Sequence, residues 1–317
     1  MGFLPKDLEL LPPSDDRIFK LILTAPEAKP VLMDLISCIL NRRVADVIVR
    51  NNELPPEDTQ EKAERFDVNC RLEDDTQVDM EMQTSRIQED ADGQHGNLKG
   101  KSVYYLCDLH SSQDAKGVRR YDRLAQTWQI TFCSYTVFPG QREFLNTFSL
   151  RNDRNGELLS DAVHAVFVEL SKLQEILKKS VADMTDLEKW ALFFQYADEP
   201  ECRETINAVI ASKEVLKVAG NLLMSVSRDE RERAVFRSRK MYQTDRLSDL
   251  ATAEDRGRAE GVRQGRAEGV RQGRIEIAAR MLARNRPVEE IMEDTGLTEE
   301  EIMDLRFNGS VAGESSR

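Results

Sequence analysis

The chain has 317 residues, of which 40% are hydrophobic and 32% are charged, and its formal net charge is −12. This length suffices for one sizeable hydrophobic core with an appendage, and no run of about 18 apolar residues occurs that would form a membrane-spanning helix. The acidic balance excludes a surface uniformly coated with basic side chains for nucleic acid, although a local basic groove assisted by bound cations stays compatible with it.

Two further patterns narrow the class of protein. The amino-terminal residues 1–14 carry prolines but no basic region followed by an apolar stretch, so they do not predict a secretory signal. The five cysteines are scattered, without a C-x-x-C pair, and the three histidines lack paired spacing. We therefore expect small buried cysteines in a reducing cytoplasm and no histidine zinc site.

The first elements are helical. Ser14 or Asp15 can cap a helix that runs through about Thr24, and Pro30 suits the first turn of a second helix that ends near Asn41. Residues 44–54 are rich in valine and isoleucine and predict a strand.

Residues 65–83 alternate apolar and polar side chains in two runs separated by an acidic turn, which predicts a hairpin of half-buried strands. With a loop of about three or five residues, the polar rows share one face, and Asp67 then lies across from Glu81 or Gln83. Clustered carboxylates repel each other, and a divalent metal held by oxygen ligands would compensate them. The alternative is an amphipathic hairpin whose acidic face is solvated.

The next segment predicts the remainder of a sheet. We expect a polar loop over 85–100, a helix from about 101 to 126 with a bend near 111–117, and three strands. The strands are expected at 128–138, 144–152 and 164–170. The order of helix, strand, hairpin, helix and strand favours an α/β fold with a mixed sheet flanked by helices.

From residue 171 to about residue 223 the apolar residues recur at the three-to-four spacing of amphipathic helices. Residues 228–250 are charge-dense with few apolar positions, which is typical of an exposed helix. The octapeptide GRAEGVRQ then occupies 257–264 and again 265–272, which places a glycine at every fourth position. Glycine costs a helix up to about 1 kcal/mol relative to alanine. The repeat is compatible with an exposed single helix, a helix that self-associates through close backbone approach, or a disordered linker.

Residues 275–305 predict a small helical hairpin with a break at Gly296 and an N-cap at Thr298. The pattern is similar to a helix-turn-helix. Its second helix reads TEEEIMDL, which would repel phosphate, so packing is favoured over the reading of DNA.

A family resemblance rests on four segments in order. Asp67 followed by Glu81, Met82 and Gln83 resembles the D…E-x-K signature of the PD-(D/E)XK nucleases, with glutamine at the lysine position. The runs FDV and D-x-E-M-Q are similar to one branch, the Rpn-type recombination-promoting nucleases, also described as PD-(D/E)XK nuclease-family transposases. Residues 15–23 resemble the first core helix of that branch, residues 117–139 its helix-to-strand passage, and the glycine repeat its tail.

This resemblance implies an α/β, restriction-endonuclease-like mixed sheet flanked by helices, followed by a helical subdomain and a long C-terminal helical tail. The corresponding domains are residues 1–170, 171–250 and 251–317. It also implies a metal-dependent DNA endonuclease of the cytoplasm, a phosphodiester hydrolase associated with recombination or mobile elements. The alternative is a catalytically weak DNA-binding or assembly protein that keeps the nuclease fold.

The resemblance further implies the roles of individual residues. Asp67 and Glu81 bind Mg²⁺ or another divalent cation such as Mn²⁺ or Ca²⁺, and Gln83 orients the attacking water without adding charge. Asp16 is either a second metal ligand or a helix residue favoured by the macrodipole, and Asp79 either supports the metal ligands or is solvated.

The expected macromolecular partners are DNA and further copies of the chain. Arg119, Arg120 and Tyr121 are candidates for contacts with DNA phosphates, with ordinary surface roles as the alternative. We expect a homo-oligomer formed through the C-terminal helical tail, and no association with a membrane.

Overall fold

The computed structural model describes residues 4–50, 68–84, 96–113 and 121–314. The chain divides into two compact units, residues 1–242 and residues 243–317. The first unit contains a six-stranded mixed sheet with the strand order β1-β2-β3-β4-β6-β5. The strands are β1 (Val47–Val49), β2 (Val68–Leu72), β3 (Gln77–Gln83), β4 (Thr127–Cys133), β5 (Leu145–Arg151) and β6 (Leu158–Glu169).

Strands β3, β4 and β6 are mutually parallel, and the remaining neighbours are antiparallel. The described helices are α1 (Asp16–Thr24), α2 (Lys29–Leu40), α3 (Gly96–Ser111), α4 (Asp186–Tyr196), α5 (Arg203–Ala211), α6 (Glu214–Arg228), α7 (Glu230–Ala283), α8 (Val288–Thr295) and α9 (Glu299–Glu314). The Asp15 side chain caps α1 by accepting hydrogen bonds from the backbone amides of Arg17 and Ile18, as the sequence predicted.

A tight loop sets the register of the β2–β3 hairpin. The amide of Leu72 donates to the carbonyl oxygen of Thr76 at 2.9 Å, which leaves residues 73–75 as the loop. Asp75, the last of them, has a φ of 66°, the left-handed conformation that a three-residue hairpin loop requires at this position. The loop length is therefore one of the two that bring the polar rows of both strands onto one face.

One face of the sheet packs against α1, α2 and α4 in the main hydrophobic core. Phe19 of α1, Phe132 of β4 and Phe194 of α4 are fully buried and form a mutual aromatic cluster with ring centroids 5.1 to 5.4 Å apart. Such large buried side chains dominate the energetics of a core. The mixed sheet flanked by helices that the sequence predicted is confirmed.

Several element boundaries differ from the prediction. Helix α3 begins at Gly96, inside the segment 85–100 predicted as loop, and ends at Ser111 rather than near 126. Of the described residues from 121 to 126, a short 3₁₀ turn, Tyr121–Arg123, is helical. Gly96 and Gly100 lower the helix propensity at the start of α3. Packing of the buried Leu98 and Leu106 on the sheet outweighs this low propensity, so the helix forms there.

Helices α4 to α6 extend the same core rather than forming a separate one. Trp190 and Phe194 of α4, Ile210 of α5 and Leu223 of α6 are all fully buried in the cluster that includes the sheet. The division into domains at residues 170 and 250 stays a prediction, since the compact units of the chain meet at residue 242.

The second unit, residues 243–317, has a small core of its own. Ala278, Ile291, Leu297 and Ile302 are buried together, and Gly296 ends α8 with a φ of 67°. The hydroxyl of Thr298 accepts from the amide of Glu301, whose carboxylate accepts from the amide of Thr298, so a capping box opens α9. The predicted helical hairpin and its cap are thus present.

The glycine repeat is helical throughout, as part of α7. At Gly257, Gly261, Gly265, Gly269 and Gly273, no described atom lies within 4 Å of the position that a Cβ would occupy. The disordered-linker alternative does not fit this helix, and the glycines face open space within the unit.

The five cysteines are free. Cys70 and Cys133 are buried, as predicted, whereas Cys107 is exposed on α3. None of the described helices combines the length and the apolar composition that crossing a bilayer requires.

Candidate active site

Strand β3 carries apolar side chains on one face and polar side chains on the other. Met80 and Met82 lie in the main core, and Asp79 and Glu81 project from the opposite face toward α3. Asp79 is 0% exposed and Glu81 is 2% exposed. The alternative of a solvated acidic face is therefore wrong, because α3 covers this part of the sheet.

The carboxylate of Glu81 is held at one oxygen. The Nζ of Lys101 on α3 lies 2.9 Å from Oε2, and the Nε2 of Gln83 donates to the same oxygen at 3.2 Å. Within the described ranges, no side chain forms a hydrogen bond or an ion pair with the other oxygen, Oε1. The arrangement leaves one oxygen of a nearly buried carboxylate available to a further ligand.

Lys101 was missed by the sequence analysis. It is only 27% exposed, and it brings to Glu81 the positive charge that Gln83, at the lysine position of the E-x-K pattern, does not supply. Its partner on β3 is distant in sequence, so no local pattern reveals the pair. Glutamine at the lysine position of the E-x-K pattern was the available signal. It indicates that a lysine from a neighbouring element could supply the positive charge.

Asp79 lies two residues before Glu81 on the same face and pairs in register with Asn69 of β2. Burial, and secondarily the negative charge of Asp79, raise the pKa of the Cys70 thiol. Asp79 is therefore a buried carboxyl group beside Glu81 rather than a solvated surface residue.

The structure places Asp16 among partners on α7. Its Oδ2 accepts from Arg239 at 2.8 Å, and its Oδ1 accepts from the backbone amide of Arg17 at 2.8 Å. Arg17 in turn contacts Glu232 at 2.7 Å. The described contacts of Asp16 thus lie at the starts of α1 and α7, and none of them reaches Glu81.

The remaining predicted residues are divided between described and undescribed segments. Asp67, Arg119 and Arg120 lie outside the described residues. Tyr121 is 82% exposed and precedes β4. Thr127, the first residue of β4, pairs with Gln77, whereas Glu81 pairs with Thr131 farther along. Tyr121 therefore lies toward the opposite end of β4 from Glu81, and the structure does not bring the two together.

Metal ligation by the described residues alone is limited. They contain no group of three or more His, Cys, Asp or Glu side chains that could hold a metal ion. Glu81 supplies one free carboxylate oxygen, a hard donor of the kind that Mg²⁺ prefers in combination with waters and phosphate oxygens. A complete site needs at least one further ligand.

The architecture defines the class of protein. An antiparallel hairpin whose second strand carries an E-x-Q triplet joins a parallel strand, and helices flank the sheet, as in the restriction-endonuclease-like α/β fold. Residues 13–253, more than half of the chain, match the model of the PD-(D/E)XK nuclease family transposases. The chain belongs to this family, which supports a nuclease-like or transposase-like function. No curated protein and no solved structure gives a significant match.

Proposed function

We propose that the protein is a metal-dependent DNA endonuclease that hydrolyses phosphodiester bonds and is associated with recombination or mobile elements. The observation that carries the proposal is the environment of Glu81, a nearly buried carboxylate. Lys101 and Gln83 hold its Oε2, and none of the described residues forms a hydrogen bond or ion pair with its Oε1. Burying a carboxylate is costly unless it is paired. The pairing at one oxygen and the availability of the other favour a role in ligation.

The cation would be Mg²⁺, or Mn²⁺ or Ca²⁺ in its place, held by Glu81 and Asp67. The support for Asp67 is that its neighbour in sequence, Val68, pairs with Met80, the residue before Glu81. When bound, such a cation lowers the pKa of a coordinated water and stabilises negative charge on phosphate oxygens.

The chain's own residues would divide the remaining tasks. Lys101 fixes the orientation of Glu81 and adds the positive charge that the glutamine lacks. The Nε2 of Gln83 is engaged with Glu81, which leaves its carbonyl oxygen to accept a hydrogen bond from the attacking water. Asp79 is a second buried carboxyl group on the same face of β3, two residues before Glu81.

The decisive experiment uses the purified full-length protein on supercoiled plasmid with Mg²⁺, Mn²⁺, Ca²⁺ or EDTA. Nicking should require a divalent cation and should vanish in Asp67→Ala and in Glu81→Ala. A thermal shift on addition of Mg²⁺ should be present in the wild type and lost in both variants.

Glu175→Ala is the control, because Glu175 is exposed and lies outside the site. It should cleave and bind metal as the wild type does. Cleavage that persists in both Asp67→Ala and Glu81→Ala would remove the proposed site.

Two proposals concern residues around the site. The pairing with Arg239 supports the reading of Asp16 as a helix residue rather than a metal ligand. Arg119, Arg120 and Tyr121 stay candidates for contacts with DNA phosphates, and the position of Tyr121 before the start of β4 favours contacts away from the scissile bond. A cytoplasmic location, favoured by the free cysteines, is likewise a proposal.

We further propose that the C-terminal tail joins copies of the chain. The support is the row of glycines on α7 that no described side chain covers, together with exposed Val262 and Val270 between them. Truncation after Asp249 should shift the mass in light scattering toward that of a monomer, with fewer double-strand breaks relative to nicks, because cutting both strands benefits from two sites. An unchanged mass and ratio would make the tail a solvated appendage.

A second candidate function is a catalytically weak DNA-binding or assembly protein. It is favoured by the net charge of −12 and by glutamine at the lysine position. Binding of plasmid without nicks under any metal condition, in protein that still shows the metal-dependent thermal shift, would select this candidate.

A further inference from the structure

Strand β4 carries a row of buried polar side chains beneath α3. Thr127, Gln129 and Thr131 are each 0% exposed. Thr127 is satisfied, because its hydroxyl lies 2.9 Å from Nδ1 of His110 and 3.2 Å from Nε2 of Gln113. The other two differ from it, since the buried side-chain atoms of Gln129 and Thr131 have no hydrogen-bond partner in the described part of the chain.

A third side chain of this kind lies on helix α3. Ser102 of α3 is 3% exposed, and its hydroxyl also has no partner among the described residues. Three side chains on α3 and β4 thus present four polar atoms without a hydrogen-bond partner among the described residues, namely Ser102 Oγ, Gln129 Nε2, Gln129 Oε1 and Thr131 Oγ1.

These atoms lie beside the candidate active site. Gln129 pairs in register with Asp79, and Thr131 pairs with Glu81. Helix α3 runs antiparallel to β4, because His110 contacts Thr127 and Lys101 contacts Glu81.

The rise along α3 between these two contacts matches the rise along β4. The nine residues from Lys101 to His110 rise about 13.5 Å in a helix, and the four residues from Thr127 to Thr131 rise about 13 Å in a strand. Ser102, which follows Lys101, therefore lies at the level of Thr131 and Glu81.

The donor and acceptor character of the four atoms indicates which ligand can form hydrogen bonds with all of them. A buried polar atom without a partner destabilises the fold by about as much as a lost hydrogen bond or more, so four such atoms together call for a ligand. The Nε2 of Gln129 can only donate, which excludes a bare cation as its partner. Gln129 Oε1 only accepts, and the two hydroxyls do either. Water meets all of these requirements, and buried waters commonly make about three hydrogen bonds to such groups.

We propose that Ser102, Gln129 and Thr131 hold an ordered cluster of water molecules between α3 and β4, and that this cluster positions Glu81 for metal binding. The positioning role rests on the proposed function; the water site itself does not. Thr131 is the key positioning residue, because it is the register partner of Glu81. Water bonded to Thr131 is placed to donate to the Glu81 carboxylate and to restrict its rotation.

Thr131→Val tests the cluster, because valine matches the shape of threonine and removes only the hydroxyl. If water bonds to Thr131, the variant should have a lower Tm without metal, and the Mn²⁺ concentration for a half-maximal thermal shift should rise about tenfold, as expected for a disturbed support of a metal ligand. Thr131→Ser should restore both values. If the interface is dry, removal of an unpartnered hydroxyl should leave the Tm unchanged or raise it, and the proposal would be overturned.

Thr127→Val is the matched control on the same strand. It removes a hydroxyl whose partners are His110 and Gln113, far from Glu81. Its Tm should fall, but its half-maximal Mn²⁺ concentration should stay at the wild-type value. An equal shift of the Mn²⁺ dependence in Thr127→Val would reduce the role of Thr131 to packing and contradict the positioning proposal.

Ser102→Ala keeps the proposal testable if Thr131→Val does not fold. It removes one small hydroxyl from a helix, and it should lower the Tm and weaken the Mn²⁺ response in the same direction. The Tm without metal tests the water cluster independently of metal binding. If the wild type shows no Mn²⁺ response, that result would count against the proposed function but not against the water cluster. A high-resolution crystal structure without water between Ser102 and Thr131 would also overturn the cluster.

Discussion

The two faces of the central strands differ more than their sequences suggest. Along β3 and β4, alternate residues point to opposite sides of the same backbone. One side enters the main core with α1, α2 and α4, and the other lies under α3. The apolar members are Val78, Met80, Met82, Ile130 and Phe132, and the polar members are Asp79, Glu81, Gln129 and Thr131; all nine are almost completely buried.

The difference shows how the fold tolerates a buried charged site. Apolar burial contributes about 25 cal/mol per Å², whereas desolvated carboxylates and unpartnered amides are unfavourable. The two faces belong to the same strands. Burial of the apolar side chains therefore stabilises the backbone that also carries the buried polar side chains. We expect substitutions on the first side to act mainly on folding, and substitutions at Glu81 and its direct partners on the second side to act mainly on activity.

The largest effect should come from the apolar side. Phe132→Ala removes a fully buried ring in contact with Phe19 and Phe194. The free energy of unfolding should fall by about 3–5 kcal/mol, as measured by urea denaturation. Leu159→Ala is the control, since Leu159 is 78% exposed, and it should change stability by less than about 0.5 kcal/mol. A stable Phe132→Ala variant with reduced cleavage would break the division between the faces.

Lys101→Met tests the polar side. It keeps the length of the side chain but removes the charge beside Glu81, so the rate of plasmid nicking should fall about 100-fold. Lys101→Arg should retain part of the rate. Lys99→Met is the matched control on the same helix, because its ammonium lies over the ring of Phe138 rather than on a carboxylate. Equal losses in Lys99→Met and Lys101→Met would show that only the charge of the helix matters.

Asp15 brings a buried carboxyl group to the amino end of α1, the helix on the apolar side. Burial first, and then the charge of Asp16, raise the pKa of Asp15 to about 6, against the opposing effect of Arg239. A raised carboxyl pKa means that the folded state favours the proton, so this residue's contribution to stability is lost as the pH rises from about 4 through about 6.

Asn caps helices as well as Asp does and carries no charge. Asp15→Asn should therefore be more stable than the wild type by about 1 kcal/mol at pH 7.5, with a flatter dependence of stability on pH between pH 4 and 7. Asp16→Asn keeps Asp15 and should keep much of that dependence. An unchanged slope in Asp15→Asn, measured by denaturation across this pH range, would contradict the assignment.

The smallest effect is expected for Gln83→Lys. The new ammonium would lie beside Glu81, where charge pairing replaces the amide hydrogen bond, so nicking should be preserved with a weaker dependence on metal concentration. Gln83→Met, which removes the amide without adding charge, is the comparison. Complete loss of nicking in a folded, metal-binding Gln83→Lys protein would reveal a role of the amide that charge does not replace.

The sequence predicts the apolar side better than the polar side. Alternation in residues 65–83 identifies the hairpin and the shared face of its polar rows because strand pairing there is local. Helices α1 and α2 are predicted nearly to the residue by Asp15 and Pro30. The alternation does not determine the length of the loop, because that length depends on Asp75 adopting a left-handed conformation.

What covers the polar side could not be predicted, because alternation does not reveal which element packs on a face. The contact between Lys101 and Glu81 requires that α3 begins before Lys101. Gly96 and Gly100 have low helix propensity, so the sequence does not predict a helix there. The unpartnered side chains of Gln129 and Thr131 have the same origin, since their burial is a property of the packed layers.

The exposure of Cys107 makes α3 accessible to selective chemistry. Burial raises the pKa of the thiols of Cys38, Cys70, Cys133 and Cys202, and the thiolate is the reactive form of cysteine. A maleimide dye should therefore attach first to Cys107, on the helix whose other side contacts Glu81. The native sequence thus offers a fluorescent reporter of the environment of α3, read in real time as cation or DNA is added, without any substitution.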